Sequence, residues 1–184
     1  MRTEKMGSLT ARIVGEGAGP VVVLLHGYGA PGTDLVPLAG AVEVPVGTRF
    51  VFPEAPLPLG LGMMEGRAWW PIDVGRYERA MMTGQMDALM DEVPPRMAEA
   101  REKLVGFLKA LQADLRYEKL VLGGFSQGSM LALDTALRTD IKLAGLCLFS
   151  STLLAQKEWV PLMAKRAGLP TLQTHGTQDP ILPY

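Results

Sequence analysis

Short continuous hydrophobic runs alternate along the chain with longer stretches whose apolar residues have helical spacing. The clearest run, at residues 21–25, is typical of a strand buried on both faces of a parallel sheet. This run and other apolar or mixed segments predict strands over residues 8–14, 21–25, 48–52, 119–123, 142–149 and 170–176. The longer stretches predict helices over residues 34–42, 94–115, 129–137 and 157–167. This alternation predicts a single α/β domain over residues 1–184, with a doubly wound, mostly parallel sheet.

The pattern changes most abruptly at residues 124–128, where a strand-like run passes into helical spacing. The junction, Gly124-Phe125-Ser126-Gln127-Gly128, has the form G-x-S-x-G. A strand that turns sharply into a helix holds such a serine in a strained conformation, so its neighbours two positions away must be small. The free N–H groups of the helix N-terminus favour an oxyanion there. We therefore predict that Ser126 is a nucleophile, the alternative being an ordinary glycine- and serine-containing turn.

Other polar residues follow two more of the predicted strands. His26-Gly27-Tyr28 comes directly after the run at residues 21–25, and Asp179 follows the last predicted strand. In open parallel sheets the reactive groups gather at the carboxyl ends of the strands. We therefore expect these residues and Ser126 to converge at one edge of the sheet.

Composition and charge exclude several classes of function. A net charge of −1 implies neither a nucleic-acid partner nor an anionic membrane surface, and no apolar run is long enough for a transmembrane segment. The single cysteine allows no internal disulfide and no zinc cluster, and the two histidines lack metal-binding spacing. We expect a cytoplasmic protein that needs no metal and no other cofactor.

Taken together, these motifs resemble the α/β-hydrolases, and within them the phospholipase/carboxylesterase group that includes the acyl-protein thioesterases. The matching segments run through nearly the whole chain, at residues 25–29, 53–56, 68–73, 122–128, 143–146 and 175–179. The resemblance implies an α/β-hydrolase fold with helices on both faces of the sheet. It also implies a serine carboxylesterase that hydrolyses small-molecule carboxylic esters, with thioesters or lysophospholipids as further candidates, through an acyl-enzyme.

The resemblance also implies a role for each matching site residue. Ser126 is the nucleophile, and Asp179 orients a catalytic histidine. The backbone N–H groups of Gln127 and Tyr28 form the oxyanion hole. Tyrosine departs from the smaller aliphatic residue that is often found at this position of the family.

The catalytic histidine of the family lies a few tens of residues beyond the aspartate, whereas this chain ends at Tyr184. We do not expect His26 or His175 to replace it, because base and orienting acid must approach from separate elements. We expect a C-terminally truncated chain, with the last strand and helix missing, which is inactive as it stands. The alternatives are a separate cleaved polypeptide and a partner chain that supplies the histidine. The bare sheet edge is expected to promote self-association.

Residues 57–93 interrupt the regular alternation with proline and glycine clusters and six methionines, at positions 63, 64, 81, 82, 86 and 90. Since methionine adapts to irregular apolar partners, we predict a lid-like excursion with at most short helices. In this hypothesis Trp69, Trp70, Met81 and Met82 bind the acyl chain of the substrate. The alternative is that the methionines only pack a lid helix on the core.

The absent histidine keeps open a function from another class, a non-catalytic, ligand-binding relative of the hydrolases. A dienelactone-type hydrolase is a weaker alternative, because that chemistry requires cysteine where Ser126 stands. A peptidase is weaker still.

Overall fold

The computed structural model describes residues 1–61, 64–179 and 182. Its strands are β1 (Arg2–Met6), β2 (Leu9–Val14), β3 (Val21–Leu25), β4 (Arg49–Pro53), β5 (Leu57–Leu61), β6 (Met64–Ala68), β7 (Leu120–Phe125), β8 (Gly145–Phe149) and β9 (Thr171–Thr174). Its α-helices are α1 (Leu38–Ala41), α2 (Val74–Thr83), α3 (Met86–Met90), α4 (Met97–Leu115), α5 (Gln127–Arg138) and α6 (Gln156–Met163), which continues into a 3-10 turn, Ala164–Arg166. Across these described residues, no helix has both the length and the apolar character needed to cross a bilayer.

Seven strands form one sheet in the order β1-β2-β4-β3-β7-β8-β9. In this order β4, β3, β7, β8 and β9 pair in parallel, each with the next. Strand β2 pairs antiparallel with both β1 and β4. The mostly parallel sheet predicted from the hydrophobic runs is therefore confirmed. Because the carboxyl ends of β3, β7, β8 and β9 lie along the same edge, the loops that follow these strands are neighbours.

The two faces of the sheet are covered differently, because successive strand residues point to opposite sides. Helices α4, α5 and α6 pack on the face where Val21, Val23 and Leu25 are buried. On the other face Leu24 and Phe50 lie in a smaller cluster that includes residues of α1. Beside that cluster is an open apolar concavity of about 800 Å³. Helices lie on both faces as expected, although α1 covers only part of the second.

Helix α1 is shorter than the sequence pattern predicts. The apolar spacing favoured a helix over residues 34–42, but regular helix is confined to Leu38–Ala41 and begins after Pro37. A residue that precedes proline is disfavoured in the α conformation, and residues 34–36 accordingly form turns.

Residues 57–93 contain a two-stranded antiparallel hairpin, β5–β6, followed by the short helices α2 and α3. The short helices agree with the prediction, and the hairpin is an element that the prediction lacked. Met63 lies outside the described residues.

Helix α5, which follows Ser126, is fixed by a buried carboxylate in its middle. Asp134 is 1% exposed and accepts hydrogen bonds from Arg101 of α4 (2.6 Å), Arg138 of α5 (2.8 Å) and the indole N–H of Trp159 of α6 (2.9 Å). One carboxylate therefore joins the three helices on this face. The helix that carries the candidate nucleophile is anchored at its centre as well as at its N-terminus.

Candidate active site

Ser126 lies between the end of β7 and the start of α5, with φ 50° and ψ −118°. A non-glycine residue held in a sparsely populated conformation of this kind costs on the order of 1–3 kcal/mol. Its N–H donates to the carbonyl of Phe149 on β8 (2.9 Å), and its carbonyl accepts from Met130 N–H (3.1 Å) and from the Ser129 hydroxyl (2.6 Å). The strained turn expected from G-x-S-x-G is present, and three hydrogen bonds hold it.

The two glycines of the motif are required by the packing of the turn against β3. A Cβ atom at Gly124 would lie 2.5 Å from the Leu25 oxygen and 2.7 Å from the Gly128 carbonyl carbon. A Cβ atom at Gly128 would lie 2.5 Å from the Leu25 carbonyl carbon and 2.7 Å from the His26 oxygen. All of these obstacles are backbone atoms, which cannot move aside as a flexible side chain can. Residues 124 and 128 must therefore be small, as the motif predicts.

The loop that follows β3 lies directly beside Ser126. A Cβ atom built at Gly27 would be 3.5 Å from the Ser126 Cβ. Within the described residues, the N–H of the next residue, half-buried Tyr28, donates to no backbone carbonyl and to no side chain. The N–H of Gln127 occupies the first position of α5, where no intrahelical acceptor exists. Among the residues that the structure describes, neither N–H therefore has a backbone acceptor, and their binding of an oxyanion stays a prediction.

His26 holds this loop in place. Its ring is buried, with 2% of the residue exposed. Nε2 accepts from the backbone N–H of Ala55 (3.0 Å), so the ring proton is on Nδ1, which donates to the Gly27 carbonyl (2.9 Å). Burial lowers the pKa of His26, which favours this neutral form. With both ring nitrogens engaged, His26 supports the loop rather than serving as a base.

The β5–β6 hairpin supports the same loop through Arg67. The Arg67 carbonyl accepts from Gly29 N–H (2.9 Å), and the Arg67 N–H donates to the Ala30 carbonyl (3.2 Å). The guanidinium donates to the Ala55 carbonyl (2.5 Å) and pairs with Glu54 at 3.2 Å. A single residue of the hairpin therefore connects the loop after β3 with the loop after β4.

Trp69 and Trp70, predicted to bind substrate, follow the hairpin and contact the nucleophile turn. Both are buried, at 2% and 3% exposure. The Gln127 side chain bonds to the backbone of both residues, and the Trp69 indole N–H donates to the His26 carbonyl (2.9 Å). The structure therefore brings the two tryptophans to Gln127, the residue after Ser126, and their contact with substrate stays a prediction.

Asp179 lies at the carboxyl edge of the sheet, beyond β9. Phe149 of β8 pairs with Thr174 of β9, and the chain then turns so that Asp179 N–H donates to the Gly176 carbonyl (3.0 Å). Asp179 Oδ1 accepts from Leu182 N–H (3.0 Å), and Oδ2 is 3.8 Å from His175 Nε2. The strand order therefore places Asp179 two strands away from Ser126, at the same edge.

His175 is oriented away from solvent. Its side chain is fully buried, and Nε2 lies 3.0 Å from the Leu182 carbonyl. The ring belongs to the local structure of the turn that carries Asp179.

Met81 and Met82, the other predicted substrate contacts, lie on α2 with 45% and 86% of their surface exposed. The structure does not bring them into the group formed by Ser126 and the tryptophans, and their binding role stays a prediction. Met90 is buried, and Met86 packs against the same core. These two methionines match the alternative, in which the helices of the excursion pack on the core.

Sequence reasoning assigned no role to Glu54, Ala55, Arg67 or the side chain of Gln127. Their only signal was position, since all four lie within or beside the segments that carried the family resemblance. The structure shows that these residues form the support of the loop after β3.

The chain is similar to known proteins in its family pattern, in its sequence and in its fold. A family model described as Phospholipase/Carboxylesterase matches residues 14–184. Acyl-protein thioesterase 1 of Kluyveromyces lactis is 30% identical over 172 residues, which cover 89% of this chain and 71% of that protein. The crystal structure of esterase PE8 superposes with a TM-score of 0.73 at 32% identity, covering 95% of this chain and 78% of that chain. The Bacillus cereus carboxylesterase gives a TM-score of 0.64 at 14% identity, with 93% and 86% coverage, a likeness of fold alone.

Proposed function

We propose, since the chain belongs to the phospholipase/carboxylesterase family, that it is a serine carboxylesterase acting through an acyl-enzyme on Ser126. The family and its relatives indicate an esterase or acyl-protein thioesterase activity. The observation that supports the proposal of Ser126 as nucleophile is the strained turn at this residue. The N–H groups of Gln127, the next residue, and of Tyr28, in the loop after β3, have no backbone acceptor among the described residues. Strain of this type persists only where the surrounding structure imposes it, and it is concentrated at functional sites.

In the proposed reaction, Ser126 Oγ bonds to the carbonyl carbon of an ester or thioester, and the carbonyl oxygen becomes an oxyanion. The N–H groups of Tyr28 and Gln127 hold this oxyanion, and losing one such donor costs roughly 10²–10³ in rate. Collapse re-forms the C=O bond and breaks the bond to the alcohol or thiol, which leaves with the proton taken from Ser126. Water then adds to the acyl-enzyme, the acid leaves, and Ser126 recovers its proton. No step requires a metal or a cofactor.

The general base is neither of the two histidines of this sequence. His26 uses both ring nitrogens to support the loop, and the ring of His175 is buried against the Leu182 carbonyl. We propose that Ser126 passes its proton to a histidine outside these 184 residues, in a further segment or a partner chain. Asp179 would orient that imidazole.

The engagement of both histidines of this sequence in structural hydrogen bonds favours a second candidate function. If no histidine reaches Ser126, the preserved turn and the loop after β3 would form a ligand-binding site without catalysis. Such a protein would bind carboxylic esters, or the corresponding carboxylate anions, at the two amides without hydrolysing them.

Covalent labelling discriminates the two functions. A fluorophosphonate reports an activated serine, because Oγ attacks phosphorus and fluoride leaves. We expect labelling of the intact natural protein that disappears in Ser126→Ala. Ser8→Ala is the matched control, since Ser8 lies exposed in the turn between β1 and β2, and it should label like the parent. Absence of labelling in the intact protein would favour the binding function.

A further inference from the structure

Gln127 is a polar residue that is almost completely buried, at 1% exposure, in the first turn of α5. Its Oε1 accepts from the Trp69 N–H and its Nε2 donates to the Trp70 carbonyl, both at 2.8 Å. One side-chain amide thus satisfies a backbone donor and a backbone acceptor that would otherwise be buried without partners. Only one orientation of the amide satisfies both groups, so its polarity is fixed.

Trp69 extends this contact to the loop after β3. Its indole N–H donates to the His26 carbonyl at 2.9 Å. Two residues earlier in the chain, the Arg67 carbonyl accepts from Gly29 N–H at 2.9 Å. Residues 67–70, whose last two members bond to the Gln127 side chain, are therefore bonded to the loop on both sides of Tyr28, at His26 and at Gly29.

We infer that the side chain of Gln127 is a positioning group that sets the spacing between the N–H of Gln127 and the N–H of Tyr28. Through Trp69 and Trp70 it connects the turn that carries one amide with the loop that carries the other. The inference rests on the proposed function, because it requires these two amides to hold an oxyanion. A misplacement of about 1 Å in such a site can lower the rate about 10²-fold.

Two substitutions separate this role from simple packing. Gln127→Met fills a similar volume but leaves the Trp69 N–H and the Trp70 carbonyl without a partner at every pH. Gln127→Glu keeps an acceptor for Trp69, but its ionised form sets a second oxygen against the Trp70 carbonyl. The protonated carboxyl can donate there and restores the hydrogen bond.

The pH dependence of Gln127→Glu has a defined sign. Burial and the facing carbonyl favour the neutral acid, so the pKa of the introduced carboxyl is raised above that of an exposed glutamic acid. A raised pKa in the folded state means that the hydrogen bond is intact at low pH and is lost as pH rises through that pKa. The variant should therefore approach the parent in acid and diverge from it in alkali.

The experiment measures the second-order rate of Ser126 labelling by a fluorophosphonate in the intact natural protein. The rate is expressed as the ratio of variant to parent at each pH, because the parent rate itself changes with pH. We expect Gln127→Met to give a ratio of about 10⁻² throughout. We expect Gln127→Glu to give a similar ratio at alkaline pH and to recover by about tenfold or more in acid.

Trp159→Phe is the matched control. It removes another buried hydrogen bond to α5, the 2.9 Å bond from the Trp159 indole to Asp134. Asp134 lies about two turns further along α5 than Gln127. The control substitution should lower the Tm while leaving the labelling ratio within about twofold of the parent. If the Tm of Gln127→Glu recovers in acid but its labelling ratio does not, the side chain is only structural and the inference is wrong.

A measurement that needs no activity keeps this inference separate from the proposed function. In amide NMR of Gln127→Glu, titration of the carboxyl should shift the Tyr28 N–H resonance with the same apparent pKa as the Trp69 indole resonance. If the parent is not labelled at all, the proposed function fails, and this titration still decides whether the side chain positions the loop. A Tyr28 resonance that stays constant while the Trp69 resonance moves would overturn the inference.

Discussion

Gly128→Ala is the substitution that most directly tests the packing of the nucleophile turn against β3. The added Cβ would lie 2.5 Å from the Leu25 carbonyl carbon, 2.7 Å from the His26 oxygen and closer still to the Leu25 oxygen. The first distance is about 0.9 Å short of the 3.4 Å at which ordinary contact begins. Because the obstacles are backbone, either the turn or the end of β3 must shift by about 1 Å.

Such a shift should reduce both stability and reactivity. Overpacking of this kind costs typically about 1–3 kcal/mol, and each kcal/mol lowers the Tm of a domain of this size by about 2–4 °C. The end of β3 leads into the loop that carries the Tyr28 amide, so a displacement of about 1 Å should also lower the rate of Ser126 labelling about 10²-fold. Thermal unfolding and fluorophosphonate labelling measure the two effects in the same preparation.

Gly106→Ala is the control, because a Cβ atom there meets nothing within 4 Å. Gly106 lies inside α4, where alanine is favoured over glycine by roughly 0.5–1 kcal/mol. The control should therefore raise the Tm slightly, while Gly128→Ala lowers it. A Gly128→Ala protein with the Tm and labelling rate of the parent would mean that the turn does not pack on β3 as described.

Three further predictions concern the loop, the excursion and the sheet edge. Burial lowers the pKa of His26, so the stabilisation from its bond to Ala55 is present above a pH of about 6.5 and is lost as pH falls below that value. The urea midpoint of the parent should therefore fall toward pH 5, and it should fall less in His26→Phe. An equal fall in both proteins would contradict this role of His26. If Met81 and Met82 bind the acyl chain, replacing them by serine should lower the turnover of long-chain esters more than that of short-chain esters. An equal loss for both would refute this binding role. Leu172 is 54% exposed on β9, which is the last strand in the order of the seven-stranded sheet. Sedimentation equilibrium of the 184-residue chain should therefore show concentration-dependent association that Leu172→Lys reduces, whereas a monodisperse 184-residue chain would argue against association.

The central strands β3, β7 and β8 could be predicted because most of their residues are apolar and buried. Strand β3 has the predicted bounds, since all five of its residues are apolar and the apolar run ends sharply at Pro20 and His26. Strand β1 was not predicted, because it is an edge strand with alternating charges in which only Met6 is buried. The hairpin β5–β6 was not predicted either. Proline and glycine interrupt its first strand, and its stability depends on the pairing between β5 and β6 rather than on a local pattern.

The candidate site divides in the same way between local and non-local features. The turn at Ser126 could be predicted because strand, small residues and helix are contiguous in the sequence. The supports of the two amides could not, because each joins distant segments: the Gln127 side chain bonds to residues 57 and 58 positions away, and His26 bonds to a residue 29 positions away. A one-dimensional pattern contains the hydrogen-bonding groups but not their pairing. For the same reason His26 and Glu54 were recognisable as parts of matching segments and not by their roles.

The strain at Ser126 shows why the non-local bonds matter to the local motif. A cost of about 1–3 kcal/mol must be offset by contacts that exist only in the strained conformation. One of these is the hydrogen bond from Ser126 N–H to Phe149 on the neighbouring strand β8, and another is the close packing of Gly124 and Gly128 on β3. A G-x-S-x-G segment without an acceptor on the adjacent strand would relax to an ordinary turn, and its serine would lose the strained conformation. The motif therefore indicates a nucleophile only where parallel strands flank it on both sides, as β3 and β8 do in this sheet.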